Sequence, residues 1–203
     1  ITERTIIELV DKGADIIEIG IPFSDPVADG PVIQAASFES LQGGTTVRGI
    51  LDLAARLRER VSVPLVLMTY YNPILQMGLE QFCRYAENCG VDGLIVPDLP
   101  LEESDPLKEY ADQAGIDLIP LVTPSSPPER IAAICAQALG FIYCVSVSGV
   151  TGERQEIKTD LGKLTKNIRL HTDLPLAIGF GVGDPATALA VAPFCDGVVV
   201  GSA

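Results

Sequence analysis

Glycine punctuates this chain at a fixed interval. Gly90, Gly115 and Gly140 stand 25 residues apart, and each closes a helical pattern and opens a short apolar run. Gly13 does the same earlier in the chain. A glycine at such a point takes the left-handed conformation that ends a helix, so the spacing reads as a weak internal βα repeat. The helical patterns themselves are regular. Ile50, Leu53, Ala54 and Leu57 fall at i, i+3, i+4 and i+7, as do Leu79, Phe82, Cys83 and Ala86. Leu107, Tyr110, Ala111 and Ala114 repeat the pattern, and so do Ile131, Ile134, Cys135 and Ala138. Each stripe predicts an amphipathic helix with one apolar face. Weaker stripes carry Ile6, Ile7 and Val10, and then Ala186, Leu189 and Ala190. Ser126 with Glu129 reads as a capping box. Asp105-Pro106 and Asp184-Pro185 read as a cap followed by a first-turn proline.

Between the helices lie apolar runs at 15–19, 65–69, 93–96, 117–122, 141–145, 176–178 and 198–200. Most are continuous rather than alternating, which predicts parallel strands buried on both faces. Seven such units preceded by a helix want one more strand in front. A complete (β/α)8 barrel takes roughly 250 residues, against 203 here. The chain starts at Ile1 without a methionine and stops at Ala203, just after a strand-like run. The expectation is therefore an α/β fold, a (β/α)8 TIM barrel. It would form a single domain over 1–203, truncated at both ends and lacking the first strand and the last helix. The rival is an open doubly wound sheet. That architecture usually carries a glycine-rich fingerprint after its first strand, and none follows Ile19.

Composition removes several function classes. Fourteen basic residues face 27 acidic ones, for a net charge of −13, and no basic patch or stripe is present. A phosphate backbone needs concentrated Lys and Arg, so nucleic-acid binding is excluded. An anionic small ligand would have to be held by backbone N–H groups and helix N-termini. Cys83, Cys89, Cys135, Cys144 and Cys195 are odd in number and form no CxxC pair. They read as free thiols in a reducing compartment rather than a zinc site. The expected location is the cytoplasm, or the plastid in a plant. No stretch is long and apolar enough to span a bilayer and no signal peptide is visible. The single histidine, His171, follows a polar helix end and reads as a surface residue.

The chemistry concentrates where strands end. Glu18 sits inside the run Ile16-Ile17-Glu18-Ile19, and an unpaired carboxylate buried there is costly. It is either paired in a core salt bridge or it works; no arginine lies nearby in sequence. Burial would raise its pKa and let it carry a proton at neutral pH. Asp29 follows in a loop stiffened by Pro22, Pro26 and Pro31. Its bland reading is a cap before Gly30-Pro31, while Asp25, between Ser24 and Pro26, reads as a turn-former. Further strand-end loops are 70–73, 97–100, 123–126, 146–152, 179–184 and 201–202. The last two are glycine-rich and fall where this architecture binds phosphate. The loop 146–152 reads either as a lid or as an ordinary connection. Tyr143 points into the barrel or out of it, and periodicity does not say which.

Ile19-Gly20-Ile21-Pro22-Phe23-Ser24-Asp25-Pro26-Val27-Ala28-Asp29-Gly30-Pro31-Val32-Ile33-Gln34 closely resembles the signature of tryptophan synthase alpha chains. Ser148-Gly149-Val150-Thr151-Gly152, Gly179-Phe180-Gly181 and Val200-Gly201-Ser202-Ala203 follow in the matching order. The resemblance spans essentially the whole chain and implies a (β/α)8 barrel. It also implies a retro-aldol cleavage of indole-3-glycerol phosphate to indole and glyceraldehyde 3-phosphate. By resemblance Glu18 is the proton-carrying glutamate, Asp29 the carboxylate that accepts the indole N–H, and Tyr143 a positioning group near the glutamate. Gly152, Gly181, Gly201 and Ser202 match phosphate ligands. Tyr70 and Ile95 match the indole pocket, and Thr151 matches a lid residue. Pro22, Asp25, Asn72 and Pro73 match positions that face a beta chain, which would complete an alpha-beta-beta-alpha heterotetramer. No cofactor is implied in this chain; pyridoxal phosphate belongs to the beta chain. One departure is Val147-Ser148, where some members carry Arg-Ala or Arg-Ser; it bears on lid closure and coupling to the partner. The alternatives are a stand-alone indole-3-glycerol-phosphate lyase, an idle regulatory subunit, and a generic phosphate-binding barrel isomerase.

Overall fold

The computed structural model describes residues 2–145, 154–179 and 182–201. They fall into two compact units, Ile1–Leu118 and Ile119–Ala203.

The first unit is built on four parallel strands, β1 (Ile17–Gly20), β2 (Leu65–Met68), β3 (Gly93–Ile95) and β4 (Asp117–Leu118), paired in chain order. Helices α1 (Thr2–Asp11), α2 (Pro31–Gln42), α3 (Val47–Arg58), α4 (Tyr71–Met77), α5 (Leu79–Asn88) and α6 (Asp105–Gln113) precede and connect them. Most of the predicted stripe residues form the core: Leu53, Ala54 and Leu57 of α3, Phe82, Cys83 and Ala86 of α5, and Leu107 and Ala111 of α6 are buried with Ile17, Ile19, Leu65, Leu67 and Leu94 of the strands. On α3 it is Leu51 that is fully buried, while Ile50 of the expected stripe is half-buried. Gly13, Gly90 and Gly115 have φ of 99°, 72° and 65°, as the helix-ending role demands. Gly90 is doubly constrained, because a Cβ there would lie 2.7 Å from Arg58 Cγ.

The second unit repeats the plan with β5 (Leu121–Val122), β6 (Ile142–Val145), β7 (Leu176–Gly179) and β8 (Gly197–Val198), again parallel and paired in chain order. Its helices are α7 (Pro128–Gln137), α8 (Arg154–Ile168) and α9 (Pro185–Val191). Leu161, Leu164, Thr165 and Ile168 give α8 its buried face. Within each unit the strand order never reverses, whereas a doubly wound sheet needs a switch point.

Several local expectations are corrected. The run 117–122 is two short strands, because Pro120 between them has no N–H to give a ladder. Strand β1 alternates buried and exposed residues instead of being enclosed on both faces. Residues 70–73 are the start of α4, not a loop. Ser126 makes no capping box; its hydroxyl accepts from the Thr123 N–H at 3.3 Å, and α7 begins at Pro128 without a side-chain cap. Ser104, not Asp105, precedes α6 as its N-cap residue. Asp184 does cap α9, accepting from the Thr187 N–H at 2.8 Å. On α9 it is Val191 that is buried, and Leu189 of the expected stripe is exposed. Cys83, Cys89, Cys135 and Cys144 are buried free thiols and Cys195 is half-buried.

Candidate active site

The strand ends of the first unit gather the acidic chemistry. Register pairs Glu18 with Val66, and Gly20 with Met68, which in turn pairs with Ile95. Paired residues of parallel neighbours share a face, and so do residues two apart along a strand. Glu18 and Ile95 therefore lie on one face of the sheet, two strands and two residues apart, opposite the face where Ile17 and Ile19 pack into the core. The strand ends are laced across. The Ile21 N–H donates to the Met68 carbonyl at 2.9 Å, and the Thr69 N–H to the Ile95 carbonyl at 3.1 Å.

Water reaches Glu18, which is a correction to the enclosure expected from its isoleucine neighbours. Alternation gives those neighbours the other face. Access is not full solvation, however. A water molecule can touch the carboxyl while protein fills most of the volume that bulk water would need to stabilise its charge. Burial, and secondly the like charge of Asp29, raise the Glu18 pKa to about 7. No cation among the described residues forms an ion pair with Glu18.

Asp29 is half-buried, and its side chain does not cap α2. The Tyr70 hydroxyl instead donates to Asp29 Oδ2 at 3.0 Å, and accepts from the Ala28 N–H at 2.9 Å. Desolvation raises the Asp29 pKa, and the Tyr70 hydrogen bond pulls it back. The loop is held at both ends. Its Asp29 N–H donates to the Pro26 carbonyl at 3.1 Å, and Gln34 Nε2 donates to the Asp29 carbonyl at 2.8 Å. Ser24 donates its hydroxyl to Asp25, in keeping with a turn-forming Asp25. Tyr70 packs against Phe23 with ring centroids 5.4 Å apart.

Sequence reasoning missed Asp98. Tyr70 is the N-cap residue of α4 and offers no capping side chain, so Asp98 Oδ1 accepts from the Tyr71 N–H at 2.9 Å. The only hint was an acid at a strand end. Pro22 and Asp25 follow β1, while Asn72 and Pro73 lie in the first turn of α4 after β2.

In the second unit Tyr143 is buried on β6, in register with Ala177. Its hydroxyl lies over the backbone of Gly179, where a Cβ would come within 2.1 Å of it. That settles its direction: along the ladder toward the end of β7. Gly201 follows β8, is exposed, and has open space where a Cβ would stand. Thr151, Gly152, Gly181 and Ser202, with the departure at Val147-Ser148, lie outside the described residues. Among the described residues no helix is long and apolar enough to cross a membrane. No group of three or more His, Cys, Asp or Glu is arranged there to hold a metal ion.

The chain is similar to known proteins along essentially its whole length. The family model described as tryptophan synthase alpha chain matches residues 2–203. The tryptophan synthase alpha chain of Citrifermentans bemidjiense is 52% identical over 202 residues, covering 100% of this chain and 76% of that relative. The crystal structure of tryptophan synthase subunit alpha from Legionella pneumophila superposes with a TM-score of 0.89 at 38% identity, covering 99% of this chain and 74% of that one. A structure of tryptophan synthase from M. tuberculosis matches with a TM-score of 0.89 at 36% identity, covering 99% of this chain and 76% of that one. The fold class is thus the (β/α)8 barrel of these alpha chains.

Proposed function

The chain belongs to the tryptophan synthase alpha chain family, and from that premise we infer how its residues carry out the family's reaction. The reaction is the retro-aldol cleavage of indole-3-glycerol phosphate to indole and glyceraldehyde 3-phosphate, in tryptophan biosynthesis. The chain is a carbon–carbon lyase acting as the alpha subunit. The relatives named above are chains of a synthase, which supports the subunit reading over a stand-alone lyase.

The single observation that carries the residue assignment is the coupled pair of carboxylates at one sheet end. Cleavage breaks the bond between indole C3 and the glycerol carbon that bears a hydroxyl. Carbon 3 must gain a proton and that hydroxyl must lose one. A carboxyl whose pKa is about 7 populates both forms at neutral pH, so Glu18 can give the first proton and take the second. Protonation at C3 leaves positive charge on the ring nitrogen. Asp29 accepts the ring N–H and stabilises that charge. Tyr70 and Ile95 line the indole pocket, Tyr143 positions the reacting groups, and Thr151 belongs to the lid. Backbone N–H groups at Gly152, Gly181, Gly201 and Ser202 hold the phosphate, as a protein of net charge −13 requires.

In this reading residues 1–203 belong to one barrel domain. Pro22, Asp25, Asn72 and Pro73 face a beta chain in an alpha-beta-beta-alpha assembly, and pyridoxal phosphate resides in that partner. The free thiols fit a cytoplasmic enzyme. The test is indole release from indole-3-glycerol phosphate, with and without the beta chain. Cleavage that rises when the partner is added is expected. Absence of indole under both conditions rejects the reading.

A further inference from the structure

A carboxylate that must accept one ring N–H has to keep one oxygen free and point it. Asp29 lies in a loop between β1 and α2, and loops position side chains poorly unless something outside them takes hold. That hold comes from 41 residues away, at the end of β2. Resting on the reading above, we propose that Tyr70 is a positioning residue for Asp29: its hydroxyl ties down Oδ2 and leaves Oδ1 to meet the heterocyclic N–H.

The hydrogen-bond inventory fixes the direction of the proton. A phenol has one proton and acceptor lone pairs. The Ala28 N–H occupies a lone pair at 2.9 Å, so the proton turns to Asp29 Oδ2 at 3.0 Å. The same hydroxyl thus grips both the backbone and the side chain of adjacent loop residues. The tyrosine is itself fixed. It is 4% exposed, packs on Phe23, and begins a helix whose first N–H is held by Asp98. Burial and neighbouring carboxylates push its pKa up to about 12, so it remains a donor wherever the enzyme works. The titratable groups that bear on the pair are Glu18 on β1, Asp98 beyond β3, and, on the same loop, the exposed Asp25.

The test is steady-state indole release by the full chain with its beta partner, for wild type, Tyr70→Phe, Asp29→Asn and the double variant, across pH. Phenylalanine keeps the ring packing and deletes only the hydroxyl. Tyr70→Phe should lower kcat about 10- to 100-fold, the scale of a misplaced catalytic group, with KM little changed. The acid limb of kcat/KM should move to higher pH, because Asp29 loses a donor that favours its charged form. In the Asp29→Asn background the same change should have almost no further effect, since residues acting through one another are non-additive. Wild-type kcat and an unmoved acid limb in Tyr70→Phe, or additive losses in the double variant, overturn the proposal. Failure of the wild type to release indole overturns the reading beneath it as well. If Tyr70→Phe does not fold, 3-fluorotyrosine at position 70 replaces it. Its fluorine resonance should shift as Asp29 titrates and lose that shift in Asp29→Asn; a resonance that ignores Asp29 overturns the proposal.

Discussion

Asp92 and Asp196 occupy equivalent positions in the two units. Asp92 precedes β3, accepts from the Leu65 N–H at 2.7 Å, and pairs with Arg58, whose Nη1 donates to the Val63 carbonyl at 3.0 Å. Asp196 precedes β8, accepts from the Leu176 N–H at 2.8 Å, and pairs with Arg169, whose Nη1 donates to the Leu174 carbonyl at 2.9 Å. The strand registers match as well, Val66 with Gly93 and Ala177 with Gly197. One clamp is therefore used twice, each time tying the start of a strand to the helix that precedes it and to the next strand.

The ion pairs themselves are too exposed to contribute much; the strand N–H is what loses its partner. Asp92→Ala should lower the unfolding free energy by about 1–3 kcal/mol, the cost of an unsatisfied donor. Asp92→Asn should cost less, because its carbonyl oxygen still accepts. Asp196→Ala should behave alike. The Leu176 N–H, ahead of Arg169, holds the Asp196 carboxyl below its ordinary range. Its contribution is thus complete above about pH 4 and is lost as pH falls through the lowered value. Urea unfolding at neutral and acid pH measures each step.

Gly179 has no room for a side chain. A Cβ would lie 2.1 Å from the Tyr143 hydroxyl oxygen and 2.6 Å from Cζ, and Tyr143 is buried at 3% exposure. Gly179→Ala should cost about 1–3 kcal/mol as an overpacked site and lower activity by displacing Tyr143. Combined with Tyr143→Leu, the added cost of the alanine should shrink. Thermal unfolding of the four combinations reads that coupling.

Glu18 carries a stability penalty that depends on pH. Its folded pKa of about 7 lies above the ordinary 4.5. Over that window the folded state holds more proton than the unfolded chain, so stability falls as pH rises. Glu18→Gln removes the ionisation. The variant should melt above wild type at about pH 8 and converge with it below about pH 4.5, where both side chains are neutral. Parallel melting curves at the two pH values would contradict the burial cause.

Asp29→Asn should leave substrate bound and slow its cleavage. An amide keeps the size of the side chain and gives up the charge that opposes the developing positive nitrogen. A loss of about 10²–10³ in kcat with a modest change in KM is expected. Steady-state kinetics separate the two. A change confined to KM would assign Asp29 to binding alone.

The helix stripes were legible because burial of one face imposes a period on the sequence, and most strands because burial on both faces leaves a continuous apolar run. Helix α2 was not, since none of its residues is buried and no stripe marks it. Helix α4 hid because it is 7 residues long and carries Pro73 in its first turn. The capping box at Ser126 failed because Thr123, three residues back, competes for the same hydroxyl. The two carboxylates were readable as chemistry out of place. The isoleucines around Glu18 misled only about enclosure, since β1 turns Ile17 and Ile19 to the opposite face and Ile16 lies exposed ahead of the strand. What joins Asp29 to Tyr70 was beyond local reading, because a contact between residues 41 apart leaves no period.

The most direct measurement is indole release by Glu18→Gln beside wild type, with binding of glyceraldehyde 3-phosphate and circular dichroism as controls. The variant should keep an intact fold and retain phosphate-ligand binding. Cleavage should fall by about 10²–10⁴-fold or more, the contribution of a positioned proton carrier. A folded Glu18→Gln protein that still releases indole at the wild-type rate would contradict that role.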